Sequence, residues 1–147
     1  MNDAFLDNFM QAAQAITGAE RCIAFDKALT VQTSHNIDAA LLTDESFITA
    51  VKAAAQDAID QRQAIITNNL ITDPEDAPNT NIHLTDLRMV VTLPVPGRGA
   101  IYFDQHIRQG VFERETVDKL ALMAKRAIAT GQTDMTRDEL VAFYETL

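Results

Sequence analysis

Apolar residues in the first seventeen positions fall at Phe5, Leu6, Phe9, Met10, Ala13 and Ile16, the spacing of one helical face. Asn2 or Asp3 can cap the start of this helix, and Gly18 sits where a left-handed C-terminal cap belongs. The period then changes. Arg21-Cys-Ile-Ala-Phe25 and Leu29-Thr-Val-Gln-Thr33 are short β-type runs separated by a turn, which predicts a hairpin. Residues 35–42 read as a loop leading to a second helix. There Thr43 is the expected N-cap, Asp44 and Glu45 suit the positive end of the dipole, and Arg62 suits the other end. Phe47, Ile48, Val51, Ala55, Ala58 and Ile59 form its apolar stripe.

A short β-like run at Ala64–Thr67 precedes a long polar segment, residues 68–86, whose length in one domain predicts a lid. Two clear strands follow, Arg88–Leu93 and Ala100–Asp104, with Pro94, Pro96, Gly97 and Gly99 marking the turn between them. Residues 113–130 predict a strong helix carrying Val117, Leu120, Ala121, Ala124, Ala127 and Ile128 on one face. Leu122 and Met123 widen that apolar side beyond what one core face requires. Thr136-Arg-Asp-Glu139 is a capping-box pattern opening a last helix, with Leu140, Phe143, Tyr144 and Leu147 aligned. Strands joined by tight turns predict an antiparallel sheet, so the class is α+β. Terminal helices cover one sheet face; the middle helix and the lid cover the other.

Four stretches in this order resemble the GAF domains of bacterial signalling proteins. Val90-Val-Thr-Leu-Pro-Val95 is similar to the family's apolar strand ending in proline, and Gly99-Ala-Ile-Tyr-Phe-Asp104 to its next strand. Arg108-Gln-Gly-Val-Phe112, with Glu113, Glu115 and Leu120–Ala124, resembles the approach to its last helix. Ile16-Thr-Gly-Ala-Glu-Arg21 resembles the approach to its first strand. The resemblance implies a GAF-like (PAS/profilin-like) domain over residues 1–132 with a small-molecule pocket on one sheet face. Residues 133–147 then form a C-terminal helix that serves dimerisation or connects to a signalling partner. It further implies a homodimer through the terminal helices. The signature of cyclic-nucleotide-binding members is missing. Bilin carriers attach their chromophore through a cysteine in other segments, and methionine-sulfoxide-reducing members use several cysteines.

Composition narrows the function classes. The 147 residues carry 21 acidic and 12 basic side chains, a net charge of −9, which disfavours nucleic acid and anionic membrane surfaces as partners. The single cysteine, Cys22, cannot form an internal disulfide. The N-terminus lacks the pattern of a signal peptide, and no apolar stretch approaches membrane-spanning length. These features predict a cytoplasmic protein.

Catalytic chemistry finds little footing. Cys22 reads as a buried inert thiol rather than a redox centre, because alternation turns Arg21 to the opposite sheet face. His35, His83 and His106 lack second ligands at metal-like spacing. Asp73, Glu75 and Asp76 lack the glycine and terminal glutamate of a calcium loop. Ser34 and Ser46 have no evident base, and no glycine-rich phosphate loop precedes a helix. The expectation is a binding domain, not an enzyme, with no metal or cofactor.

Alternation places Arg88, Val90 and Thr92 on one face and Met89, Val91 and Leu93 on the other. Ala100, Tyr102 and Asp104 likewise oppose Ile101 and Phe103. The sets with polar tips suit a pocket that orients a ligand through Arg88, Thr92 and Tyr102. Phe47 would form a wall, and Asn68 opens the lid segment. Arg88 suits a carboxylate or phosphate, since its fork binds in bidentate fashion. In the other reading Arg88 pairs with Asp86 or Asp104 and Tyr102 fills the core. The pattern alone leaves both open.

Overall fold

The structure, a computed structural model, describes residues 3–67 and 88–147. Segment 68–86, including Asn68, His83, the acidic residues 73–76 and Asp86, lies outside the described residues. Helix α1 (Ala4–Thr17) begins at Asp3, whose carboxylate accepts the Phe5 and Leu6 amides at 3.0 and 3.4 Å. It ends at Gly18 in the left-handed conformation. Strands β1 (Arg21–Asp26) and β2 (Val31–His35) form the predicted hairpin, but β2 starts two residues later than the pattern suggests. The cause is local. Asp26 Oδ1 accepts both the Ala28 and Thr30 amides at 2.9 Å, and Leu29 sits inside that turn at φ 62°.

The expected loop at 35–42 contains a short helix, α2 (Ala39–Leu42), and Thr43 caps its C-terminus. Asp44 therefore takes the N-cap of α3 (Glu45–Gln61), accepting the Phe47 amide at 3.1 Å. Arg62 closes α3 in the left-handed region, φ 55°. Strand β3 (Ile65–Thr67) precedes β4 (Arg88–Val95) and β5 (Gly99–His106), joined by a turn of three residues. A 3-10 turn at Ile107–Gln109 leads to α4 (Arg114–Ala129) and α5 (Arg137–Glu145). The capping box at Thr136 and Glu139 is present with both of its hydrogen bonds at 3.2 Å.

Among the described residues the sheet has five strands in the order β2-β1-β5-β4-β3, every pair antiparallel. Period-two alternation divides its side chains into two cores. Cys22, Ala24, Met89, Val91, Leu93, Ile101 and Phe103 face α1, α4 and α5. Ile23, Phe25, Val90, Ala100 and Tyr102 face α3, which contributes Phe47, Val51 and Ala55. Leu140 of α5 is fully buried in the first core, so α5 shares it with α1 and α4. Met123 is buried there too; of the two residues that widen α4, only Leu122 is exposed, at 37%. Gly99 is required where β5 meets β1. A Cβ there would lie 1.9 Å from the Phe25 carbonyl oxygen, at φ 144°.

Candidate functional site

The α3-facing side of the sheet changes character along its length. Toward the hairpin turn it is apolar; at the opposite end, three side chains of the same parity converge on one carboxylate. Asp104 of β5 is completely buried. Arg21, its register partner on β1, donates to it from Nε at 2.9 Å and from Nη2 at 2.6 Å. Arg88, at the first position of β4, adds a third cationic contact from Nη1 at 3.1 Å. The Tyr102 hydroxyl, two residues along the same strand face, donates to Oδ2.

Two further groups complete the cluster from its rim. Glu20, in the approach to β1, receives Arg88 Nη1 at 2.6 Å, and its own amide donates to the Asp104 carbonyl at 3.0 Å. His106 Nε2 lies 3.0 Å from Arg88 Nη2, which can only donate. That contact assigns the ring proton to Nδ1, a buried atom with no partner among the described residues. Phe47 closes the side away from the sheet. Its ring meets Tyr102 edge-on at 6.3 Å, and the Arg21 guanidinium stacks over it at 5.4 Å.

Electrostatics follow from this geometry. Burial opposes the charge on Arg21, but the Asp104 hydrogen bonds and charge outweigh it and hold the guanidinium more firmly protonated than usual. Burial pushes Glu20 upward, yet its hydrogen bond to Arg88 and the Arg88 charge win, leaving the carboxyl below its ordinary 4.5. Tyr102 is raised well above its ordinary value by burial first and the Asp104 charge second, so its hydroxyl keeps its proton. On the other face, burial and then Asp104 push the Cys22 thiol up to about 12. That thiol is buried and protonated, the opposite of a reactive cysteine.

Of the residues singled out in the sequence, Arg88, Tyr102 and Phe47 come together in this cluster. Thr92 lies across the β4–β5 ladder from Tyr102 and is 1% exposed. Tyr102 and Thr92 are enclosed in this arrangement; the accessible edge is formed by Arg88, Glu20 and Arg21, with side chains 15, 22 and 13% exposed. Asp104 partners Arg88, one of the two pairings the sequence left open. Glu20 and Arg21 were missed as members. The parity of Arg21 with Ile23 and Phe25 was a usable signal, whereas Glu20, outside any strand, offered none. Among the described residues no group of three or more His, Cys, Asp or Glu side chains is placed to hold a metal ion. No described helix is long and apolar enough to cross a membrane.

The sequence matches no protein-family model and none of the curated proteins. The fold is similar to the crystal structure of the GAF domain/HD domain protein from Geobacter sulfurreducens. The two are 12% identical with a TM-score of 0.53, over 86% of this chain and 93% of that one. With its five-stranded antiparallel sheet between α3 and the terminal helices, this chain has a GAF-like fold.

Proposed function

We propose that the chain is a small-molecule-sensing GAF domain of a bacterial signal-transduction or transcription-regulatory protein. It works in the cytoplasm, without catalysis, and couples occupancy of the α3-facing site to its terminal helices. One observation carries this reading: the two carboxylates on Arg88 are unequal. Asp104 is buried and fixed by three donors, while Glu20 is partly exposed and reaches Arg88 from outside the sheet. A ligand carboxylate or phosphate takes the place of Glu20, with Asp104 keeping the guanidinium oriented. The ligand's body then lies against Phe47, Tyr102 and Thr92 as α3 moves outward. Ligand binding favours that open arrangement over the closed one, a population shift. The Geobacter protein, whose name joins a GAF domain to an HD domain, supports placing this domain beside an output module.

A second reading is a dimerisation or protein-interaction module with a vestigial pocket. The enclosure of Tyr102 and Thr92 favours it. A homodimer through the terminal helices is compatible with either reading and would use exposed Leu122, since most of the apolar stripe of α4 is spent on its own core.

The test is a thermal-shift screen against amino acids, 2-oxo acids, aromatic acids and nucleotides. A ligand at about 100 times its Kd stabilises by about 2.7 kcal/mol. In a chain of this size that is a rise of roughly 5–10 °C. Arg88→Lys should weaken a true hit at least tenfold, and Glu20→Gln should tighten it by removing the competing carboxylate. No hit, or a hit indifferent to both substitutions, overturns the sensor reading. A stable dimer in sedimentation, with no hit, favours the second.

A further inference from the structure

We infer that the turn end of the β4–β5 hairpin carries a second binding site, for a phosphorylated organic molecule. The cavity there has a volume of about 590 Å³. It lies seven residues along β4 from Arg88, about 23 Å at the usual strand rise, and shares no residue with the Asp104 cluster.

Four cationic side chains line it, each from a different element. Lys27 comes from the β1–β2 turn, Arg62 from the C-cap of α3, Arg98 from the β4–β5 turn and Lys125 from α4. Among the described residues no acidic side chain lines it. In a chain with 12 basic residues out of 147, its ten lining residues would carry about one by composition, and in a chain of net charge −9 an acidic neighbour is the commoner outcome. One of the four, Arg98, is already paired with a carboxylate, Asp3 at 2.8 Å, and the Asp26 carboxylate beside Lys27 is held by its own turn. Lys27, Arg62 and Lys125 make no ion pair among the described residues. Arg62 stands at the C-terminal end of α3, where its amide and that of Gln63 bond the Ile59 and Ala58 carbonyls.

The rest of the wall selects the ligand class. Ile59, Pro94, Val95 and Pro96 give the cavity an apolar side that a bare inorganic anion would leave unused. An apolar or aromatic body against that wall, with a multiply charged phosphate group among the cations, satisfies both halves. Turn geometry fixes the backbone from which two of the cations project. Asp26 fixes the Lys27 turn through two hydrogen bonds, and the Arg98 amide donates to the Val95 carbonyl at 2.9 Å.

Calorimetric titration of the whole chain with ATP, tripolyphosphate and adenosine tests the site, at about 50 mM salt where screening is weak. ATP should bind, tripolyphosphate should bind at least tenfold more weakly, and adenosine should give no heat. Lys27→Gln combined with Lys125→Gln should weaken ATP at least tenfold without changing the Tm of the free protein, because both side chains are exposed. The inference fails if ATP gives no heat at about 1 mM. Equal affinity for tripolyphosphate would reduce the cavity to a charge patch and overturn the organic class. Survival of ATP binding in the double lysine variant would place ATP elsewhere and overturn the site.

Discussion

Asp104→Asn removes one charge from the centre of the cluster while keeping the side chain's shape. In the wild type its carboxylate faces Arg21 at 2.6 Å and Arg88 at 3.1 Å, and is itself fully buried. The two arginines fare differently after substitution. Arg88 keeps Glu20 at 2.6 Å, whereas Arg21 makes no other ion pair among the described residues. A buried charge left without its counter-ion costs about 3–5 kcal/mol. Arg21 keeps some contact with water, its side chain being 13% exposed, so the lower end, about 3 kcal/mol, is expected. In a domain of this length that lowers Tm by about 10 °C. Urea unfolding followed by circular dichroism measures the loss directly. The diagnostic is a double-mutant cycle with Arg21→Met, which deletes the stranded charge. Against that background Asp104→Asn should cost only about 1 kcal/mol, a coupling of about 2 kcal/mol. Costs that add to within about 0.5 kcal/mol would refute the reading that Asp104 is the counter-ion Arg21 depends on.

Two other outcomes follow from the same electrostatics. The folded Glu20 carboxyl lies below its ordinary 4.5, so its ionised form stabilises the fold above that pH and the contribution fades as pH falls through the lowered value. The stability gap between wild type and Glu20→Gln should therefore be constant from about pH 6 to the unfolded value and narrow toward about pH 3; a gap that does not narrow contradicts the Arg88 pairing. Completely buried and with its thiol pushed up to about 12, Cys22 should react with disulfide reagents at mildly alkaline pH far more slowly than a free thiol. Labelling should accelerate only as urea unfolds the chain, and rapid labelling of the native protein would show the thiol to be accessible.

The architecture was legible where a simple period governs the side chains. Alternation along Arg88–Leu93 and Ala100–Asp104 assigned the apolar residues of those two runs to the faces they occupy, because both faces are buried under helices and a one-residue slip would invert them. Thr136 and Glu139 announced α5 because a capping box is local chemistry. Leu29 misled because an apolar residue normally extends a strand, whereas here the two hydrogen bonds of Asp26 force it into a turn. Thr43 misled because a short helix ahead of it claims that residue, leaving Asp44 as the cap. The site was half legible. Arg88, Tyr102 and Phe47 could be grouped by parity and helical position, but the pairing of Arg21 with Asp104 depends on β1 lying beside β5, a register no local pattern encodes. The basic cavity was less legible still, since its four cations stand on four elements that meet only after folding.

The pairing of β1 with the central strand of the sheet governs how the chain reaches its native state. Its central partner, β5, lies about eighty residues downstream, and Asn8 of α1 bonds the Met135 carbonyl at 3.3 Å across 127 positions. Neither core can close while the chain is still emerging from the ribosome with only its first half complete. The β1–β2 hairpin must wait, with its outer edge unpaired and the apolar stripe of α1 uncovered. Such long-range closure slows folding, because the entropy of a large loop is lost before the contacts that reward it form. Folding should therefore be late and concerted, and the span between synthesis of β2 and of α5 is when this chain depends most on protection from aggregation.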